Sequence, residues 1–324
     1  MNVGQLLENL TNPALLFFLL GILAVQLKSD LRIPDNSSKF ISIYLLLSIG
    51  FKGGQELSHS PFSAEIGLSM SLGILLAFLV PILAYYIIRT QMTVQNSAAI
   101  AAAYGSVSAV TFVTAISFLE MEGVQYSGHM IAVMALMEAP AIVVGVLLIR
   151  RYDKNESKEQ TSLGKTIYHS ITNGSVLLIL GSLVIGYLAS AKQAEGIKPF
   201  TTDIFKGFLA VFLLDMGITS GKHLNVIFRK GIFPFLFAAL MPFLHGTTAL
   251  FISFQITDSP GNQLLFAILG AGASYIAVPA ALRLALPDSN STIPITLSLG
   301  ITFPFNISLG LTLYLLAAEY LHKV

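Results

Sequence analysis

The sequence predicts an all-α integral membrane protein, and three observations lead to this fold class. Hydrophobic residues make up 54% of the 324 residues, charged residues only 11%, and the mean hydropathy is +0.76. Soluble domains carry roughly 25% charged residues, so the chain is unusually poor in charge. Its apolar residues fall in runs long enough for helices to cross a bilayer, which takes about 20 residues each. Open sheets cannot satisfy their backbone groups in lipid, so these runs are predicted to be helices.

Composition and motifs exclude several classes of function. The chain has no cysteine, which excludes disulfides, thiol nucleophiles and thiolate metal sites. A net charge of +1 gives no strong field for nucleic acid. Neither a metal-binding HExxH pattern nor a phosphate-binding P-loop occurs, so we expect no transition-metal site and no ATP-driven step. Without a convergent nucleophile–base cluster, the sequence does not predict an enzyme, and no cofactor is expected.

Ten apolar segments are each long enough to cross a bilayer. They are residues 13–27, 39–57, 65–88, 96–119, 129–149, 171–189, 202–221, 231–256, 262–286 and 292–318. If the N-terminus lies outside, most of the 18 Lys and Arg residues fall in the inner loops. This positive-inside bias predicts that both termini are outside. We therefore expect a multi-pass protein of the bacterial inner (plasma) membrane.

The two halves of the chain resemble each other. The hydrophilic stretch "RRYDKNESKEQTSLGK" predicts a cytoplasmic linker at 150–170 between a first repeat, 1–149, and a second, 171–324. "LLSIGFKGGQEL" at 46–57 matches "LLDMGITSGKHL" at 213–224, including both glycines. Because five spans per half is an odd number, the second repeat must enter the membrane inverted. Two inverted five-helix repeats are typical of secondary transporters.

A polar, glycine-marked interruption divides the fourth span, and the ninth span contains a counterpart. The two stretches are "AAAYGSVSAVTF" at 101–112 and "GAGASYIAVPAA" at 270–281. They predict interrupted helices near 96–119 and 262–286 that meet at a binding site close to the membrane midplane. A broken helix exposes backbone N–H groups that attract an anion. The alternative is a packing seam, because small residues also let membrane helices approach closely.

The chain resembles the sodium-dependent bicarbonate transporter family, as a divergent member, over nearly its whole length. The stretches that carry the resemblance are "IPDNSSKF", "IGFKGG", "YGSVSAVT", "MEAPAIV" and "IAVPAALRLALP". The resemblance implies core and gate domains that move against each other, a homotrimer, and bicarbonate and Na⁺ sites between the interrupted helices. It also makes a PII-like cytoplasmic regulator a candidate partner. Tyr275 departs from the family pattern, which has an acidic residue at this position.

The two interruptions supply the candidate substrate-binding residues. Small residues let an anion approach the backbone, and serine hydroxyls can donate hydrogen bonds to it. Tyr275 is expected either to donate its phenol to the anion or to close the cavity. The candidates are Gly105, Ser106, Val107 and Ser108 on one side and Gly272, Ala273, Ser274 and Tyr275 on the other.

Glu138 is the acidic residue predicted to lie deepest in the membrane. It precedes Arg150 by 12 residues, which places it roughly 18 Å from the cytoplasmic end of its helix. An ionisable group at that depth is costly, so a functional role is the default interpretation. It could balance Na⁺, carry a proton or orient neighbouring helices. The candidate sodium ligands are Ser108, Thr111, Glu138, Ser274 and Asn306.

The sequence therefore predicts a secondary active transporter. Its expected activity is import of bicarbonate, or a similar small anion, in symport with Na⁺ as the coupling ion and by alternating access. One alternative is a proton-coupled anion permease or exporter that uses Glu138. Another, of a different class, is a membrane sensor whose basic linker docks a cytoplasmic regulator.

Overall fold

The structure, a computed structural model, describes residues 11–59, 62–152, 164, 168, 172–227, 232–275 and 292–322. Every regular element within these ranges is helical. Of the predicted linker at 150–170, most residues lie outside the described part of the chain, as do residues 276–286 of the second interrupted helix.

The first half of the chain forms six helices. They are α1 (Pro13–Gln26), α2 (Asp35–Ser58), α3 (Ala64–Ile88), α4 (Val94–Gly105), α5 (Ala109–Glu122) and α6 (His129–Tyr152). Local sequence explains several of the ends. The Asn12 side chain accepts a hydrogen bond from the Ala14 N–H at the start of α1. Gly123 ends α5 in the left-handed region, with φ of 68°, which glycine adopts without steric cost.

Six further helices follow in the second half. They are α7 (Gly174–Leu188), α8 (Ala191–Lys198), α9 (Phe205–Ile227), α10 (Ile232–Ser253), α11 (Pro260–Ala271) and α12 (Thr292–Leu321). α8 continues into α9 through a π-helical turn, Pro199–Asp203, and α12 contains two more such turns, Ser298–Thr302 and Asn306–Gly310. Wide turns of this kind frequently occur at functional sites.

The chain is an all-α protein with at least six segments suited to cross a membrane. By length and composition these are α3, α4 with α5, α6, α8 with α9, α10 and α12. α1 and α7 are shorter apolar helices. Each of the ten segments predicted from hydropathy is mostly helical in its described part, apart from the two interruptions at 106–108 and 272–275 and a few residues at segment ends. The predicted helix near 202–221 begins earlier than expected, because a capping box at Ser190 and Gln193 starts α8 before it.

Four helices, α1, α2, α7 and α9, form a group that we call the panel. Within it α1 packs along α9, and α2 packs along α7. Glycines allow both crossings: a β-carbon at Gly54 would overlap the Leu183 carbonyl, and one at Gly217 would overlap the Phe18 carbonyl. Two of the glycine positions that match between the halves, at 54 and 217, thus lie where one helix meets the backbone of another, which is a common use of small residues in membranes.

The remaining helices α3–α6 and α10–α12 form a second group, the bundle. Its two halves pack alike, with α3 against α4 and α6, and α10 against α11 and α12. Pro242 has no N–H to donate within α10, so the Ala238 carbonyl lacks its usual helical partner. The Thr302 hydroxyl donates to that carbonyl at 2.9 Å and joins α12 to α10. The panel and the bundle meet chiefly where α9 contacts α12 and α2 contacts α6.

Candidate functional site

The first interruption is a short extended connection between α4 and α5. α4 ends at Gly105, and Ser106 has extended backbone angles, with φ of −93° and ψ of 161°. A β-carbon at position 105 would overlap the Pro81 ring, so glycine is required for this approach. α5 then begins after Ser108, whose hydroxyl accepts hydrogen bonds from the Thr111 N–H at 3.3 Å and the Thr111 hydroxyl at 2.8 Å.

The second interruption follows α11 and lies directly against the first. Gly272 leaves the helix with extended angles, and a β-carbon there would lie 3.2 Å from the Ser108 nitrogen. The Ser274 N–H donates to the Ala103 carbonyl at 2.7 Å, which ties the second connection to the end of α4. The Asn306 amide donates to the Ala271 carbonyl at 2.8 Å and holds the end of α11. The two connections therefore lie side by side inside the bundle.

A cavity of about 440 Å³, counting its mouth, opens between these connections and the panel. We call it the central cavity. The predicted site residues that line it are Val107, Ser108, Glu138, Ser274 and Tyr275. The structure thus brings one acidic residue, two serines and a tyrosine from three segments of the bundle to one small space.

Six predicted site residues lie behind the described cavity wall rather than in it. Gly105 faces Pro81, Gly272 faces Ser108, and the Thr111 hydroxyl is turned back to the helix cap. Asn306 uses its amide nitrogen on Ala271, while its Oδ1 is buried without a partner among the described residues. The six residues are Gly105, Ser106, Thr111, Gly272, Ala273 and Asn306.

Sequence reasoning missed the contribution of the panel. Ser42 of α2, Ser175 of α7 and Phe212 of α9 all line the central cavity. Ser42 is one of several polar residues in the first turns of α2, and Ser175 is the second residue of α7. Only the packing of the panel against the bundle shows that they face a cavity. The local sequence contained no signal that could have found them.

Glu138 is the most unusual group in the central cavity. Its side chain is only 3% exposed, and its Oε2 has no hydrogen-bond partner among the described residues. The described lining of the cavity contains no Lys, Arg or His that could neutralise it. A buried carboxylate without a counter-charge is strongly disfavoured. The arrangement therefore needs either a bound cation or a proton at this carboxyl.

The start of α5 provides groups suited to an anion in the same cavity. The Ser108 oxygen accepts two hydrogen bonds from Thr111, so its own proton can be donated into the cavity, where Ser108 also interacts with Tyr275. The next two residues, Ala109 and Val110, also line the cavity. Their N–H groups belong to the first turn of α5, where the helix itself provides no carbonyl to accept their hydrogen bonds. These donors and the positive end of the helix dipole favour negative charge.

Tyr275 separates the central cavity from a larger one, about 920 Å³, which we call the basic cavity. The two cavities share Ser42, Phe212 and Tyr275 as lining residues. The Tyr275 hydroxyl donates to the Met216 sulfur at 3.5 Å and also interacts with Ser108. The charged residues around the basic cavity are Arg32, Asp35, Lys39, Asp215 and Lys222.

Comparison with known proteins places the chain among membrane transporters. A family model described as the Na⁺-dependent bicarbonate transporter superfamily matches residues 13–319. The matched range includes both interruptions and every predicted site residue. No curated protein matches the chain. A transporter family confirms the prediction that the chain is not an enzyme.

Proposed function

The chain belongs to the Na⁺-dependent bicarbonate transporter superfamily, and from this premise we propose that it imports bicarbonate, or a similar small anion, in symport with Na⁺. One observation carries the proposal: the unpartnered Glu138 carboxyl faces the same small cavity as the amino-terminal end of α5. The first group calls for a cation, and the second favours an anion. A cavity with both groups suits the binding of an ion pair.

Electrostatics explains why the two ions would bind together. At an effective dielectric constant of 20, two like charges 4 Å apart repel by about 4 kcal/mol. An anion beside an ionised Glu138 would meet this repulsion. A Na⁺ ion in the same cavity attracts both negative groups and reduces the cost of removing each from water. Binding of the anion then becomes dependent on Na⁺, which is the requirement for symport.

We assign the site residues as follows. Ser108, Ser274 and Tyr275 contact the anion. The backbone at Gly105, Ser106 and Val107 and at Gly272 and Ala273 allows the two interruptions to lie side by side. Na⁺ is held by Glu138 with the hydroxyls of Ser108 and Ser274. Thr111 and Asn306 complete the sodium-binding set by fixing Ser108 and the end of α11, and the unpartnered Asn306 Oδ1 is available as a further ligand.

The proposal includes ten membrane spans arranged as two inverted five-helix repeats. The order of the helices supports it. Corresponding helices of the two halves follow at nearly constant spacing and begin at 13 and 174, 35 and 205, 64 and 232, 94 and 260, and 129 and 292. In this arrangement the panel is the gate domain, and the bundle is the core domain that moves past it in an elevator mechanism. A homotrimer in a bacterial inner membrane, with both termini outside and a PII-like regulator inside, completes the proposal.

Proton coupling is the second candidate, and the same carboxyl favours it. A proton on Glu138 would remove the buried charge as effectively as a bound cation. The anion would then be carried with H⁺ rather than with Na⁺. The two candidates share the site and differ only in the coupling ion.

Uptake of labelled bicarbonate into proteoliposomes tests the proposal. We expect uptake with an inward Na⁺ gradient, none with Li⁺ or K⁺ in its place, and loss of the Na⁺ dependence in Glu138→Gln. Glu195→Gln is the control, because this carboxyl is exposed on α8 and its one ion pair among the described residues is with Lys198 on the same helix. Uptake that follows a pH gradient without Na⁺ would favour proton coupling. Failure of both gradients to drive uptake would refute bicarbonate transport.

A further inference from the structure

A third cavity lies between the panel and the bundle, at the end of α5 away from the first interruption. Its volume is about 440 Å³, counting its mouth, and we call it the distal cavity. Thr114 and Ser117 of α5, Leu209 and Leu213 of α9, and Ser308 and Thr312 of α12 are among its lining residues. Its described lining has hydroxyls but no charged side chain.

The three cavities follow one another along α9. Leu209 and Leu213 face the distal cavity, Phe212 faces the central one, and the basic cavity reaches as far as Lys222. At 1.5 Å per residue, the step from Leu209 to Lys222 is about 20 Å. The distal and basic cavities therefore open towards opposite ends of this helix, with the candidate site between them.

One face of α5 lines two of these cavities. Val110 and Val113 face the central cavity, and Thr114 and Ser117 face the distal one. Positions three, four and seven apart on a helix share a face. Ser117 is only 5% exposed and lines the distal cavity together with Thr114. The two residues therefore give this cavity wall two hydroxyl groups from α5.

The distal cavity is closed off from the central one in this conformation. The two share no lining residue in the described part of the chain, whereas the basic and central cavities share three. The boundary between the two cavities lies between neighbouring residues: Val113 and Phe212 line the central cavity, and Thr114 and Leu213 line the distal one. Nearby, Lys52 of α2 forms an ion pair with Glu120 of α5 at 2.5 Å, which joins the panel to the bundle at this end.

We infer that the distal cavity is the second access route to the central cavity, for a small anion and its coupling cation in partly hydrated form. The route opens when the bundle moves past the panel and the Lys52–Glu120 pair breaks. Uncharged hydroxyls suit this task, because they replace part of the hydration shell without holding either ion tightly. The identity of the ions rests on the proposed function, but the route itself does not.

Single cysteines test this route cleanly, because the chain contains no cysteine of its own. We choose Ser117→Cys in the distal cavity, Thr219→Cys in the basic cavity and Ala115→Cys as a control. Ala115 neighbours Thr114 on α5 but is fully buried and lines none of the three cavities. A negatively charged, membrane-impermeant thiosulfonate is added to either side of oriented membrane vesicles, without bicarbonate.

We expect the cysteine at 117 to react from one side only and the cysteine at 219 from the opposite side only. Each should react at least about tenfold faster than the control, because a fully buried thiol reacts only through local opening. Reaction of both from the same side, or a rate at 117 equal to the control from both sides, would overturn the inference. If Ser117→Cys does not assemble, Thr114→Cys takes its place with the same two criteria.

The outcome is separable from that of the proposed function. Labelling from opposite sides together with failed bicarbonate uptake would retain the route and reject the substrate. Successful Na⁺-driven uptake together with an unreactive distal cysteine would retain the function and reject the route.

Discussion

The two interruptions occupy matching places in the halves of the chain, yet they differ in what they offer a ligand. The first ends in Ser108, which begins α5 and keeps a hydroxyl proton to donate. The second has its Ser274 N–H committed to Ala103 and its preceding helix end held by Asn306. It also places the large Tyr275 side chain between two cavities. The comparison teaches that, in the proposed site, the first interruption supplies the principal donor to the anion, whereas the second adds Ser274 and Tyr275 and also supports and closes the site.

Among the substitutions in the two interruptions, Ser108→Ala should have the largest effect on bicarbonate uptake. Ser108→Ala removes both the cap of α5 and the hydroxyl that faces the anion. A hydrogen bond to a charged group contributes about 2 kcal/mol, so the KM for bicarbonate should rise by about 30-fold. Initial uptake rates over a range of bicarbonate concentrations measure this effect.

Ser106→Ala is the matched control, because Ser106 belongs to the same connection but does not line the central cavity. Its hydroxyl is buried without a partner in the described structure, so its removal should leave KM nearly unchanged. Equal effects of the two substitutions would contradict the assignment of Ser108 as the principal donor.

Asn306→Ala should weaken the support of the second interruption. The buried Ala271 carbonyl would lose its donor, and an unsatisfied buried group costs about 1–3 kcal/mol. We expect a lower Tm in detergent and, because the Asn306 Oδ1 is a proposed sodium ligand, a higher Na⁺ concentration for half-maximal uptake. An unchanged Tm would show that α11 does not need this support. Thr248→Ala, which removes an exposed hydroxyl bonded only within α10, is the control.

Tyr275→Phe should have the smallest effect of the three. The substitution keeps the ring that separates the central and basic cavities and removes only the phenol oxygen. A neutral hydrogen bond contributes about 1 kcal/mol, which corresponds to a change in KM of about fivefold. Tyr275→Ala tests the closing role separately, since it should leave the passage between the cavities open and raise bicarbonate leak in the absence of Na⁺. Tight liposomes with this variant would contradict a closing role.

Much of the fold could be predicted from the sequence, because lipid imposes simple rules on it. Long apolar runs without charge have to become helices, and the described helices lie where those runs were found. The adjacency of the two interruptions was also predicted, because matching positions meet at the centre of the proposed inverted repeat. Local chemistry at Ser108 was readable as well, because serine is a preferred residue at the start of a helix.

The composition of the cavity wall was less predictable, for a physical reason. Ser42 and Ser175 face the site only because the panel lies against the bundle, and this is a property of tertiary packing. Likewise, the Asn306 side chain is directed by its hydrogen bond to the Ala271 carbonyl, a group that was not identified from the sequence. Sequence patterns located the connections but could not say which side chains point into the cavity.

Binding of Na⁺ to the purified full-length protein, measured with and without bicarbonate, tests the central claim most directly. If both ions occupy the central cavity, bicarbonate should tighten Na⁺ binding by at least about fivefold, and Na⁺ should tighten bicarbonate binding by the same factor. Glu138→Gln should abolish this coupling, while Glu195→Gln should preserve it. A Na⁺ affinity that is the same with and without bicarbonate would contradict a shared site.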